Sequence, residues 1–166
     1  MLNLSANSIN LTSPYKVENS GDGSFVFVTD HGVKYEISFV IDYTLNLDNS
    51  YQLCIDNVEN KIQPRDIKVR DTIVEIIKEF FKNNELSLLY ICDTSDGRQK
   101  VRDRIFRIWF EEKASHELYT IIPASIEVDG EEYFASLILC NNHPQYEVIS
   151  SAFIKFKEDL ADKWNS

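Results

Sequence analysis

The chain has 166 residues and a net charge of −10, with 43% hydrophobic and 27% charged residues. This is the size and balance of one globular domain whose core needs no disulfide or metal staple. The acidity argues against a nucleic-acid backbone as the main partner, and no run of 18 apolar residues offers a membrane span.

Residues 1–14 are polar, rich in Asn and Ser, and end at Pro14, which reads as a flexible arm ahead of a single domain over 15–166. They lack the basic start and apolar core of a secretory signal, so a cytoplasmic protein is expected. Tyr15–Asn19 alternates like a short edge strand. Ser20-Gly21-Asp22-Gly23 is a turn, Phe25–Thr29 a strand, Asp30-His31-Gly32 a second turn. Val33–Ile41 continues as a long strand with Val33, Tyr35, Ile37 and Phe39 on one face, and Tyr51–Asp56 follows after a connection through Asp48-Asn49.

The period then changes. Apolar residues at 69, 73, 76, 77 and 80 predict a helix from Asp66 to Asn84 behind Pro64. Leu86–Cys92 is a near-continuous apolar run, short enough for a strand buried on both faces. A second helix is expected from Asp96, with Gln99 three residues on as in a capping box, to about Ala114. Leu118–Val128 and Glu132–Cys140 flank Asp129-Gly130, a hairpin signal. Gln145–Trp164 predicts a last amphipathic helix with Ile149, Ala152, Phe153, Phe156 and Leu160 on its apolar side. The expected fold is α+β: one mixed, largely antiparallel sheet of about seven strands flanked by three helices, with at least one parallel strand pair.

Cys54, Cys92 and Cys140 sit in strand-like runs with no C-x-x-C pair, which predicts buried free thiols. His31, His116 and His143 fit no metal spacing and read as surface residues, so no metal and no cofactor are expected. Lys61, Arg65, Lys68 and Arg70 form a local basic cluster that reads as a solvated face, and Tyr119, Tyr133 and Tyr146 read as core or rim.

Chemistry concentrates at Cys92-Asp93-Thr94-Ser95-Asp96-Gly97-Arg98, a strand end, a turn and a helix start. On the helix wheel Val101, Ile105, Ile108 and Trp109 form the arc expected to face the core. Lys100, Asp103, Arg104 and Arg107 fall opposite. Arg98 and Arg102 share the side of Ile105 and Trp109, and Arg70 lies in the apolar arc of the preceding helix. Inward arginines permit two readings. They form ion pairs with Asp93, Asp96 or Asp66 that lock the strand ends, or they build an anion site at a helix N-terminus for a phosphate or carboxylate. A catalytic Asp93 or Asp96 is a third reading, with no second carboxylate or nucleophile placed beside it.

The order of elements resembles the core of the GNAT acyltransferase superfamily over about two-thirds of the chain. That resemblance implies an acyl-coenzyme A site whose Gly-rich loop opens the first helix; the corresponding stretch, Asn60–Val69, has no glycine. The motif Cys92–Gln99, with Arg102, Phe106, Trp109 and Phe110, resembles an uncharacterised family of small Bacteroidetes proteins over most of the chain, which implies no known activity. The residues favour a non-catalytic protein-interaction or regulatory domain with a protein partner, expected to be basic, and no nucleic acid or membrane. The alternative is a GNAT-like acyltransferase or anionic-ligand-binding domain with a degenerate phosphate loop.

Overall fold

The computed structural model describes residues 2–92 and 94–165. The chain runs α1 (Ala6–Ile9), β1 (Glu18–Asn19), β2 (Phe25–Val28), β3 (Lys34–Ile41), β4 (Ser50–Asn57), α2 (Ile67–Phe80), β5 (Ser87–Ile91), α3 (Gln99–Lys113), β6 (Tyr119–Val128), β7 (Glu131–Cys140) and α4 (Tyr146–Asn165). Seven strands form one open mixed sheet in the order β1-β2-β3-β4-β5-β7-β6. The fold is α+β. Ser87 N–H donates to the Asn49 carbonyl, which sets the start of β5 beside the start of β4, the parallel junction in an otherwise antiparallel sheet.

Contacts divide the chain into two compact units: Met1–Val40 with Leu53–Asn83, and Ile41–Gln52 with Asn84–Ser166. In the first, the β2–β3 pairing sets Phe27 against Tyr35, and the rings of Tyr15, Phe27 and Tyr35 stack in series. Phe39 stacks on Phe80 of α2 at 4.6 Å. Asp66 caps α2, its side chain accepting the Lys68 N–H. The segment read from sequence as a flexible arm holds α1. Ile9 is 2% exposed, Ser5 N–H donates to Glu79 Oε1, and Thr12 Oγ1 donates to Glu75 Oε2. Of the described residues in this stretch Ile9 is the one buried apolar side chain; scattered apolar residues such as Leu2, Leu4 and Leu11 show no period from which to read this packing.

The second unit is built on β7, which pairs antiparallel with β5 on one side and β6 on the other. Asp129 and Gly130 take positive φ of 51° and 80°, as a two-residue hairpin requires. Leu89, Leu137 and Leu139 project from one face onto Ile149 and Phe153 of α4. Burial of each such side chain is worth about 1.5–3 kcal/mol. Tyr90 projects from the other face and packs on Phe106 of α3, ring centroids 4.2 Å apart. In this unit α3 and α4 therefore cover opposite faces of the sheet. His143 is buried, contrary to its expected place at the surface: Nδ1 accepts the Gln145 N–H at the start of α4, and Nε2 meets the Glu85 carbonyl.

Candidate functional site

The turn between β5 and α3 organises the residues singled out by sequence. Asp93 lies outside the described residues. Gly97, at φ +71°, donates its N–H to the Thr94 carbonyl and turns the chain into α3. The expected capping box does not form. Asp96 Oδ1 accepts the Arg98 N–H, and Gln99 turns away to donate Nε2–H to the Glu132 carbonyl of β7. The helix starts at Gln99 with no side-chain cap.

Asp96 and Arg102 form a two-pronged ion pair, Nη1 on Oδ1 at 2.7 Å and Nη2 on Oδ2. The Arg102 hydrogen bond, aided by the Arg98 N–H, holds the Asp96 carboxyl down at about 2. Both side chains remain partly exposed, so this is a surface clasp rather than a buried lock. An arriving anion would have to displace Asp96 from the guanidinium. Arg98 is exposed. Arg70 belongs to the other unit, half-buried on α2, its Nε on Asp71 Oδ1 at 2.8 Å. The structure thus gathers Asp96, Arg98 and Arg102 at one helix start and gives Arg70 a separate partner. In the basic cluster of the first unit, Lys61 pairs with Glu59 and Lys68 with Asp30.

The larger departure from expectation concerns which face of α3 is inside. Gln99, Asp103, Phe106 and Phe110 are buried, a row at i, i+4, i+7 and i+11. Phe106 meets Tyr90, and Phe110 meets Tyr119 at 6.0 Å. Val101, Ile105 and Ile108, expected in the core, are 45%, 41% and 39% exposed and lie on the opposite side of the helix. Asp103, expected in solvent, is 3% exposed and is clasped by Arg107, Nε at 3.0 Å and Nη2 at 2.9 Å from Oδ2. Burial pushes the Asp103 carboxyl up despite that partner. Among the described residues Gln99 Oε1 and Ser136 Oγ have no hydrogen-bond partner, and both are buried.

Local energetics alone do not choose this orientation. Turning Val101, Ile105, Ile108 and Trp109 inward would bury four apolar side chains but would also carry Arg98, Arg102 and Glu112, which share that side, toward the core. The observed orientation buries two aromatic rings, which carry large areas, but also a carboxylate and an amide. Such a conflict between pattern and packing marks a surface with another role. The signal was present in the sequence as two competing faces, one with Val101, Ile105 and Ile108 between Arg98 and Glu112, and one with Phe106 and Phe110 spaced by four.

The thiols divide by exposure. Cys54 is exposed, contrary to expectation, because Leu53 takes the inward position of that strand. Cys92 and Cys140 are buried; burial, with the Asp103 charge adding to it, pushes the Cys92 thiol up to about 12. A buried thiol held so far above neutrality is a poor nucleophile. Cys54 is therefore expected to react with an aromatic disulfide reagent at native pH within minutes. Cys92 and Cys140 should react only at the rate of unfolding; two rapidly titrating thiols would contradict the placement.

On the α4 side of the second unit, a half-open apolar cleft of about 170 Å³ lies between α4 and the sheet. Its floor is the cross-strand pair Ala124–Ala135, and Phe153, Phe156 and Leu160 form its wall. Among the described residues no group of three or more His, Cys, Asp or Glu side chains is placed to hold a metal, and no helix is long and apolar enough to cross a membrane.

A model described as a family of unknown function, DUF6169, matches residues 65–155. The chain belongs to this family. No curated protein matches it. The DUF6169 stretch opens just before α2 and closes within α4, so it contains the Asp96–Arg102 clasp and both faces of α3.

Proposed function

We propose that this DUF6169 protein is a non-catalytic protein-interaction module that docks through the outer face of α3. The observation that carries this reading is the row Val101, Ile105 and Ile108, exposed on the side of the helix opposite its buried face. A solvent-facing apolar row at helical spacing is the form in which one helix presents itself to another. Covering what remains exposed of these three side chains is worth about 1 kcal/mol or less each, which suits a reversible contact. Net charge favoured a basic partner. The row itself is bordered by Arg98, Lys100 and Arg104 toward its start and by Glu111 and Glu112 toward its end, which favour a partner surface that carries both signs. The anion-binding alternative has no comparable support: Arg102 holds Asp96, and the N-terminus of α2 is already capped by the Asp66 carboxylate.

The test is position-specific cross-linking in the native host. A photoreactive benzophenone side chain in place of Ile105 should give discrete covalent adducts, whereas the same group in place of Val148, exposed on α4, should not. Equal labelling at the two positions, or none at Ile105, would sink the docking role of α3.

A further inference from the structure

We infer that the occupant of the outer face of α3 is α3 of a second copy of this chain, packed antiparallel; this rests on the docking role just proposed. The spacing 101, 105, 108 is the 4-3 spacing of a helix–helix seam, with Ile105 at an a position and Val101 and Ile108 at d positions. An antiparallel pair sets a against d, so Ile105 of each copy meets Ile108 of the other. In that register the flanking g positions are Arg104 and Glu111, and they face each other across the two-fold axis twice.

Both are exposed, and neither makes an ion pair among the described residues. The helix start carries the cations Arg98, Lys100 and Arg104, with Arg102 and Arg107 held by Asp96 and Asp103, and its last turn carries Glu111 and Glu112 beside Lys113. A parallel pair would stack the cations on one another. An antiparallel pair lays each cationic block beside the other copy's acids, and it closes as a two-fold, isologous contact. The helix therefore supplies both halves of its own complement, which a unit of one sign would not.

The contact is small. Two helices of 15 residues bury less than the standard protein interface, and the charge of −10 on each copy opposes approach. A reversible dimer with a dissociation constant on the order of tens of micromolar is expected at about 0.15 M salt, where screening acts over roughly 8 Å.

Sedimentation velocity on the full chain tests this. The wild type should show a concentration-dependent monomer–dimer equilibrium, and Ile105→Glu, with an unchanged circular dichroism spectrum, should remain monomeric. Arg104→Glu and Glu111→Arg should each weaken self-association about tenfold. A mixture of these two variants should associate as the wild type does, because the charges are reversed in compatible pairs. The inference is overturned by a wild type that stays monomeric to about 0.3 mM, by a dimer that Ile105→Glu leaves intact, or by a mixture that fails to recover association. If the chain proves monomeric while the benzophenone at position 105 still captures a different protein, the second copy is excluded and the docking role of α3 survives. If no adduct forms at position 105, both fall together.

Discussion

Phe106→Ala is expected to destabilise the second unit by about 3–5 kcal/mol, the usual cost of removing a buried aromatic ring, while Ile105→Ala, one position away, changes stability by no more than about 0.5 kcal/mol. The adjacent pair distinguishes the two possible rotations of α3. In the observed rotation Phe106 is buried against Tyr90 and Ile105 faces solvent; in the rotation suggested by the apolar arc, Ile105 would carry the large loss. Urea unfolding followed through Trp109 fluorescence reads the unit in which both residues lie. It is best done near about 1 µM protein, where a weak dimer is dissociated and mass action adds nothing to apparent stability. A loss above about 2 kcal/mol at Ile105 with a small loss at Phe106 would reverse the assignment of the two faces.

The strands were legible because each obeys a period of two or a continuous apolar run. Leu86–Cys92 predicted β5, and Asp129-Gly130 predicted the β6–β7 hairpin whose turn residues take the positive φ that this pair permits. The start of α2 followed from Asp66 and apolar spacing, while its end falls at Phe80, short of the expected Asn84. What failed was decided by tertiary partners. The inner face of α3 was set by Tyr90 and Tyr119, residues on strands that offered flat aromatic surfaces to Phe106 and Phe110. Gln99 was drawn from its capping role by the Glu132 carbonyl of β7. No spacing along the helix contains those partners.

The candidate site shows the same division. Asp96 and Arg102 were both named from sequence, and their juxtaposition at one turn and one helix start is seen in the structure. Asp103 was placed on the wrong side, because a charged residue flanked by Lys100, Arg102 and Arg104 reads as part of a solvated face. Its burial depends on Arg107, one helical turn on, which closes over it. Cys54 erred in the opposite direction: the run Tyr51–Ile55 looked continuous, yet alternation gave the inner position to Leu53 and left the thiol outside.

Asp103 and Asp96 should respond to pH with opposite signs, and a pair of asparagine variants makes this measurable. The Asp103 carboxyl is raised by burial above its ordinary value near 3.8, so the folded chain binds its proton more tightly than the unfolded chain does. Its contribution to stability is then fully present below 3.8 and is lost as pH rises through the folded value. Asp103→Asn, which can still accept a hydrogen bond from Arg107, removes the buried charge. It should match the wild type near pH 3 and exceed it in stability at pH 7. Asp96 is lowered to about 2 by Arg102; its contribution is present above 3.8 and disappears as pH falls towards 2. Asp96→Asn should therefore be less stable than the wild type at pH 7 and converge with it near pH 2. Arg107→Ala supplies the third measurement. At pH 7 it leaves a buried carboxylate without its donor, at a cost of about 1–3 kcal/mol, and that cost should shrink on acidification as Asp103 takes up a proton. Melting temperatures of the three variants between about pH 2 and 7 check the set. Parallel curves for Asp103→Asn and wild type across that range would mean that the carboxylate beneath α3 is hydrated, and that the polar face of the helix is not the buried one.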